Sequence, residues 1–411
     1  MPSHTTHNTP ALRFPGYTGV WEQRRFNELA SVRRGLTYKP SDVYKSGVRV
    51  LRSSNISEDS FNISPDDIFV HNSAINIPFI KNGDILVTAA NGSSRLVGKH
   101  AIVHNVPENS AVPGGFMLCL SSSEPNFLNA SMSTSWYSKF IHTFVAGGNG
   151  SIGNISKSSL DTQFILVPSL DEQKKIGSFF SKLDSIIGLH QRQTKKLTEL
   201  KQGLLQNMFP QEGESVPRLR FPGFTTHWKQ QKIGSLITEY KEKVDRTSTL
   251  PVLTSSKTEG IVFQEDHFGS AQNHDVTGYN VLPRNYCTYR SRSDGTDFTF
   301  NVNNCCDKGI ISKYYPVFNG KNNDTFFLSL MLNNNKEIIH EIGYTCVGTG
   351  QKVLSFSDLK KMSMSVPSLE EQTKLSIFFR RLDDLLTLHE QYVTTLIHLK
   401  KGLLQKMFPQ D

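Results

Sequence analysis

The sequence predicts an α+β protein in which two mixed α/β modules alternate with two long helices that pair with each other. Three observations predict it. The chain is internally duplicated, two proline-free stretches at matching positions carry a heptad pattern, and the regions before them carry strand-and-turn patterning. At 411 residues the chain has the length of two to three domains. The segments run 1–155, 156–215, 216–355 and 356–411, in the order module, helix, module, helix.

Hydrophobic residues make up 37% and charged residues 20%, with 29 Gly and 18 Pro. That mix excludes a disordered chain, a collagen-like repeat and a disulfide-dense scaffold. The net charge of +8 permits a polyanion partner without requiring one. Five cysteines, Cys119, Cys287, Cys305, Cys306 and Cys346, form no C-x-x-C pair, which points to reduced thiols in a cytoplasmic protein. The first residues lack the apolar core of a signal peptide, and no window approaches the ~18 uninterrupted apolar residues of a membrane span. The expectation is a protein that is neither exported nor membrane-spanning.

The first module opens with Leu12-Arg-Phe-Pro-Gly16, and the second with Leu219-Arg-Phe-Pro-Gly223. Short opening helices are expected over Trp21–Ala30 and Trp228–Ile237. Strands and tight turns follow: Asn82-Gly83 and Asn91-Gly92 flank Ile85–Thr88, and Asp294-Gly295 separates Tyr286–Arg292 from Phe298–Val302. Between the matched ends the two modules share little sequence, as expected of one scaffold with two targets.

Side chains able to contact nucleic acid gather near these turns. In the first module they are Arg52, Asn55, Asn91, Ser93, Arg95 and Lys99. In the second they are Lys257, Arg290, Arg292, Lys313, Gln351 and Lys352. Similar loops occur at Gly148–Ser151 and Gly348–Lys352. Arg, Asn, Gln and Ser can read base edges, and Lys contacts phosphates. Taken singly, each is also an ordinary solvated loop residue.

Each helix begins after a proline. Ser169-Leu-Asp-Glu172 and Ser368-Leu-Glu-Glu371 read as capping boxes, and no proline intervenes before Pro210 and Pro409. Rods of almost 40 residues are about 58 Å long at 1.5 Å per residue. A seven-residue series of Ile176, Leu183, His190, Leu197 and Leu204 matches Leu375, Leu382, His389, Leu396 and Leu403, the spacing of a coiled-coil seam. Phe179, Ile186 and Leu200 accompany the first series, and Phe378, Leu385, Tyr392 and Leu399 the second. His190 and His389 share one seam position and are expected to set register rather than to hold a metal.

Catalytic signatures are missing. No G-x-x-x-x-G-K-[ST] phosphate loop, no Asn or Asp before Pro-Pro-aromatic, no H-E-x-x-H and no G-x-S-x-G occurs in the sequence. Glu239-Tyr-Lys241 is a lone fragment. The reading is binding without catalysis, and no cofactor or metal is expected on this chain.

The duplicated Leu-Arg-Phe-Pro-Gly, Val167-Pro-Ser-Leu-Asp-Glu-Gln173 with Val366-Pro-Ser-Leu-Glu-Glu-Gln372, and Lys201–Pro210 with Lys400–Pro409 together resemble the specificity subunit of a type I restriction-modification system. The resemblance covers almost the whole chain. It implies two target-recognition domains, each reading one half of a bipartite, asymmetric double-stranded DNA site across an unread gap. It implies an antiparallel helical spacer, whose length corresponds to roughly 17 base pairs, with the module centres closer together than that. Two modification (methyltransferase) subunits carrying S-adenosylmethionine would dock on the spacer and on the recognition domains. ATP- and Mg-dependent restriction (translocase and nuclease) subunits would complete the complex. The alternative reading is a two-module protein-binding adaptor with a coiled-coil spacer, distinguished by binding that does not respond to salt.

Overall fold

A computed structural model describes residues 8–57, 60–145, 154–270, 275–346 and 351–410. The chain divides into two units: Met1–Gln193 with His389–Asp411, and Thr194–Leu388. The division cuts each long helix near its middle. The units therefore run across the four sequence segments, and each holds one module with half of each helix.

In the first unit the central sheet is antiparallel, in the order Ala30–Arg34, Met117–Ser122, Ile85–Thr88, His100–Ile102. A second four-stranded sheet contains Val48–Leu51 beside Ala111–Pro113. In the second unit the central sheet has the same plan: Ile237–Tyr240, Val317–Gly320, Cys287–Tyr289, Phe300–Val302. Its remaining strands form separate two-stranded pairs. The modules thus share the central sheet and differ in what is built beside it.

The expected opening helices are short. Glu22–Arg25 and Lys229–Lys232 are strands, each followed by one helical turn, Phe26–Leu29 and Ile233–Leu236. The reason lies outside the segment. Each strand pairs antiparallel with the strand that runs into its long helix, Glu22 opposite Val167 and Lys229 opposite Val366. Tertiary pairing here overrides local helix propensity.

The long helices are continuous over Leu170–Met208 and Leu369–Met407. Their first turns correct the capping boxes. The Glu371 N–H donates to Ser368 Oγ at 3.4 Å, the expected half of the motif. The glutamate carboxylates, however, do not reach back to their caps. Glu172 takes a two-pronged contact from Arg13 (2.9 and 2.6 Å), and Glu371 takes one from Arg220 (2.9 and 2.6 Å). Both glutamates are buried, at 1% and 2% exposure, and a buried carboxylate needs a fixed cation. This explains why Leu-Arg-Phe-Pro-Gly and Pro-Ser-Leu-x-Glu-Gln are duplicated together. The glutamine that follows turns back to the proline carbonyl, Gln173 to Pro168 at 2.9 Å and Gln372 to Pro367 at 3.0 Å.

Within each unit the two helix halves run antiparallel. In the first unit Phe180 meets Phe408, Asp184 pairs with Lys400 at 2.7 Å, and His190 meets His389. In the second, Phe209 meets Phe379 and Lys201 pairs with Asp383. Each core is closed by the far end of a helix. Phe408 lies against Trp21 and Phe127 (5.6 Å between ring centres in both cases), and Phe209 lies against Trp228 and Phe327 (6.2 and 5.9 Å).

Of the expected seam, Ile176, Leu183 and Leu375 are buried, while Leu197, Leu204, Leu382, Leu396 and Leu403 are half-buried. The companion row is corrected. Phe180, Ile187, Phe379 and Met407 are buried instead, whereas Ile186, Leu200, Leu385, Tyr392 and Leu399 are at least 40% exposed. Both rows are apolar, so periodicity offers two faces and tertiary contact selects the one four residues on. Phe179 and Phe378 are half-buried against Phe14 and Phe221.

His190 and His389 approach with Nδ1 to Nδ1 at 3.1 Å, one ring donating to the other. Among the described residues no group of three metal-ligating side chains occurs. All five cysteines are free, and burial pushes the Cys119 thiol up to about 12. Among the described residues no helix is long and apolar enough to cross a membrane.

Candidate nucleic-acid interface

Arg52, Asn91 and Ser93 in the first unit and Arg290 and Arg292 in the second sit at one end of the central sheet, where the chain leaves the third strand. In the first unit Ile85–Thr88 runs into Ala89 and Ala90, whose N–H groups both donate to the Phe116 carbonyl (2.9 and 3.1 Å). Ile155 closes the other side, donating to the Ala89 carbonyl at 2.9 Å. Asn91 follows. Its Oδ1 accepts from the Ser93 N–H at 2.9 Å and its Nδ2 donates to Ser53 Oγ at 3.0 Å, next to Arg52. The structure thus gathers Arg52, Asn91 and Ser93 around a turn that carries Phe116.

Phe116 is 75% exposed and was not among the sequence candidates. Its turn is held tightly. A Cβ on Gly35 would lie 1.9 Å from the Gly114 carbonyl oxygen, so only glycine lets the two backbones meet. The Gly114-Gly115 pair is the signal that could have marked it.

Asn55 is a correction. It is fully buried, accepts from the Arg52 N–H at 2.7 Å and donates to Asp67 and to the Asn62 carbonyl. Its capacity is spent on the fold, so no face remains for a base. Arg95 is exposed beyond the turn, and Lys99 lines a separate groove with Ser94, His100 and Tyr137. The loop Gly148–Ser151 and residues Gly348–Gly350 lie outside the described residues.

The second unit builds the same place with other side chains. Cys287–Tyr289 runs into Arg290 and Ser291, and both the Ser291 N–H (2.9 Å) and its hydroxyl (2.7 Å) donate to the Tyr314 carbonyl. Leu354 donates to the Ser291 carbonyl at 3.0 Å, as Ile155 does in the first unit. Arg292–Ser293 then pairs antiparallel with Lys352–Val353. Lys257, Arg290, Arg292 and Gln351 line one cleft of about 640 Å³, together with Gln264 and Tyr314. Lys313 lies at its edge, its ammonium 5.6 Å from the Tyr314 ring centre. Arg292 stacks over the same ring at 4.6 Å.

Ion pairs tie several arginines to neighbouring carboxylates. Arg13, Arg33, Arg49, Arg220 and Arg284 each hold a carboxylate. Among the described residues Arg52, Arg290 and Arg292 hold none, and the Arg52 Nε is buried without a partner. Unpaired guanidinium groups, amides and an exposed aromatic ring at the end of a rigid sheet form a surface suited to base edges and phosphates.

The DNA specificity domain of type I restriction-modification systems matches residues 19–199 and again 229–396. The chain belongs to this specificity family. Its relatives include the specificity subunit of the type I restriction enzyme MjaX of Methanocaldococcus jannaschii. The two are 24% identical over 93% of this chain and 92% of that one. The StySPI specificity subunit of Salmonella potsdam is 22% identical over 94% of this chain and 88% of that one. A crystal structure of the S subunit of a type I system from M. genitalium superimposes with a TM-score of 0.64. It covers 98% of this chain and all of the other, at 14% identity, and so supports the family's fold.

Proposed function

We propose that this chain is the DNA-reading, non-catalytic subunit of a type I restriction-modification complex, acting in the cytoplasm. Each unit reads one half of a bipartite double-stranded site with the end of its central sheet. The observation that carries this reading is the recurrence of that end. Two modules of unlike sequence place unpaired arginines and an exposed aromatic residue at the same turn of the same sheet, held by the same backbone contacts.

Catalysis belongs to partners. Modification subunits would bring S-adenosylmethionine, and restriction subunits would bring ATP- and Mg-dependent cleavage. The helix surface left uncovered in each unit supports docking of the modification subunits. Ile186, Leu189 and Leu399 in the first unit and Leu200, Leu385 and Leu388 in the second are 40–60% exposed. Apolar rows of this kind on a rod are covered in an assembly. The four sequence segments then serve as reader, spacer, reader and spacer.

The test is methylome sequencing of a host expressing the chain with its modification subunits, together with binding of the purified complex to the motif found. The expected result is a split, asymmetric motif whose binding weakens as salt rises. Methylation without a motif, or binding that ignores salt, overturns the proposal. Adding four residues at matching points of both helices should lengthen the unread gap and leave both half-sites unchanged.

A further inference from the structure

We infer that Arg292 is a guanine-reading side chain of the second unit, held in its reading position by Tyr314. The inference rests on the DNA reading above and assigns a base identity and a mode of contact to one residue.

In the second unit Arg218 pairs with Glu214, Arg220 with Glu371, Arg246 with Asp275 and Arg284 with Asp307. Arg380 donates to Asn304. Arg290 and Arg292 line the cleft without a carboxylate partner among the described residues. Of these two, Arg292 is the one whose guanidinium lies on an aromatic ring, 4.6 Å from the centre of Tyr314.

The backbone that carries the ring is fixed. The Tyr314 carbonyl takes two hydrogen bonds from Ser291, and the Arg292 backbone is paired opposite Val353. The main chain is therefore held at both ends of the stack. Stacking uses the face of the guanidinium and leaves its edge, where the N–H groups lie, free. An arginine edge held in a plane matches the O6 and N7 acceptors of guanine in the major groove.

The surroundings favour a base over a phosphate. Asp294 and Asp297 line the same cleft, and Asp297 lies 3.9 Å from the Lys257 ammonium. Carboxylates there repel a phosphate and can accept from the N4 amine of the cytosine paired with that guanine. A track meant only for the backbone would not carry them.

The experiment uses the full complex and the motif obtained from the methylome. Each guanine of the two half-sites is replaced in turn by 7-deazaguanine, which lacks the N7 acceptor, and affinity is measured at fixed salt. For the unsubstituted complex one guanine should be sensitive, with a loss of roughly ten-fold or more. Arg292→Ala should show a comparable loss on native DNA and no further loss at that guanine. Arg292→Lys keeps the charge without the fork and should not restore discrimination. Tyr314→Phe should behave as the parent, and Tyr314→Ala should lose part of the discrimination. Independent, multiplying losses in Arg292→Ala overturn the inference, as does coupling to Arg290→Ala instead. A complex that methylates without a motif defeats the DNA reading itself, a result distinguishable from either of these.

Discussion

The two units repeat one set of contacts and vary another. At the root of each helix the repetition extends to individual bonds. The Leu12 N–H donates to the Lys406 carbonyl and the Leu219 N–H to the Asn207 carbonyl, both at 2.8 Å. Phe14 meets Phe179 and Phe221 meets Phe378, both at 5.8 Å. Lys175 lies over Tyr17, and Lys374 over Phe224. At the far end of the sheet the backbone plan recurs, with an arginine and an aromatic residue in each unit, but the side chains around them differ. Phe116 stands bare beside Arg52 and Asn91, while the partly exposed Tyr314 carries Arg292 and Lys313 against its ring. The difference locates the two tasks. Both modules join their helices by one set of contacts, whereas the far ends of the sheets carry different side chains.

The largest effects should come from the shared contacts and should be matched. Phe209→Ala and Phe408→Ala each remove a buried ring and should each cost about 3–5 kcal/mol. Denaturant unfolding followed by hydrogen exchange would assign the Phe209 loss to the second unit and the Phe408 loss to the first. Unequal losses would break the symmetry between the two units. Glu172→Ala and Glu371→Ala leave Arg13 and Arg220 without their carboxylates in a poorly solvated place. Each should cost about 3 kcal/mol, and replacing the arginine as well with methionine should recover part of it in a thermal melt.

The next effect should be one-sided. Phe116→Ala should weaken binding to one half-site by roughly ten-fold, with the thermal midpoint unchanged, since an exposed ring contributes to contact rather than to the core. An equal loss at both half-sites would show that the ends do not read separately. The smallest effects belong to the half-exposed helix pairs. Asp184→Asn and Asp383→Asn should each cost roughly 0.2–1 kcal/mol, and less at high salt.

Much of the scaffold was legible because it is local or repeated. The helices Leu170–Met208 and Leu369–Met407 begin at the Ser-Leu motifs and end just before Pro210 and Pro409. Ile85–Thr88 is the strand that its flanking turns mark. What could not be read depends on partners distant in sequence. Arg13 and Glu172 are duplicated in step, yet only the folded chain shows that they touch. Two apolar rows on each helix looked alike, and packing chose between them. Asn55 resembles any polar loop residue until burial shows its bonds consumed. Phe116 is neither polar nor basic, so the chemistry that marks the other candidates does not mark it, although an aromatic residue after two glycines is where an apolar contact would stand.

The division of each helix between units also sets an order of events during synthesis. Among the described residues the buried core of the second unit runs no further than Phe379, whereas the first draws Met407 and Phe408 into its core. The module translated first therefore waits, with Trp21 and Phe127 lacking their last neighbour, until Met407 and Phe408 have left the ribosome. The later half can close earlier, reversing the usual amino-terminal-first sequence of assembly.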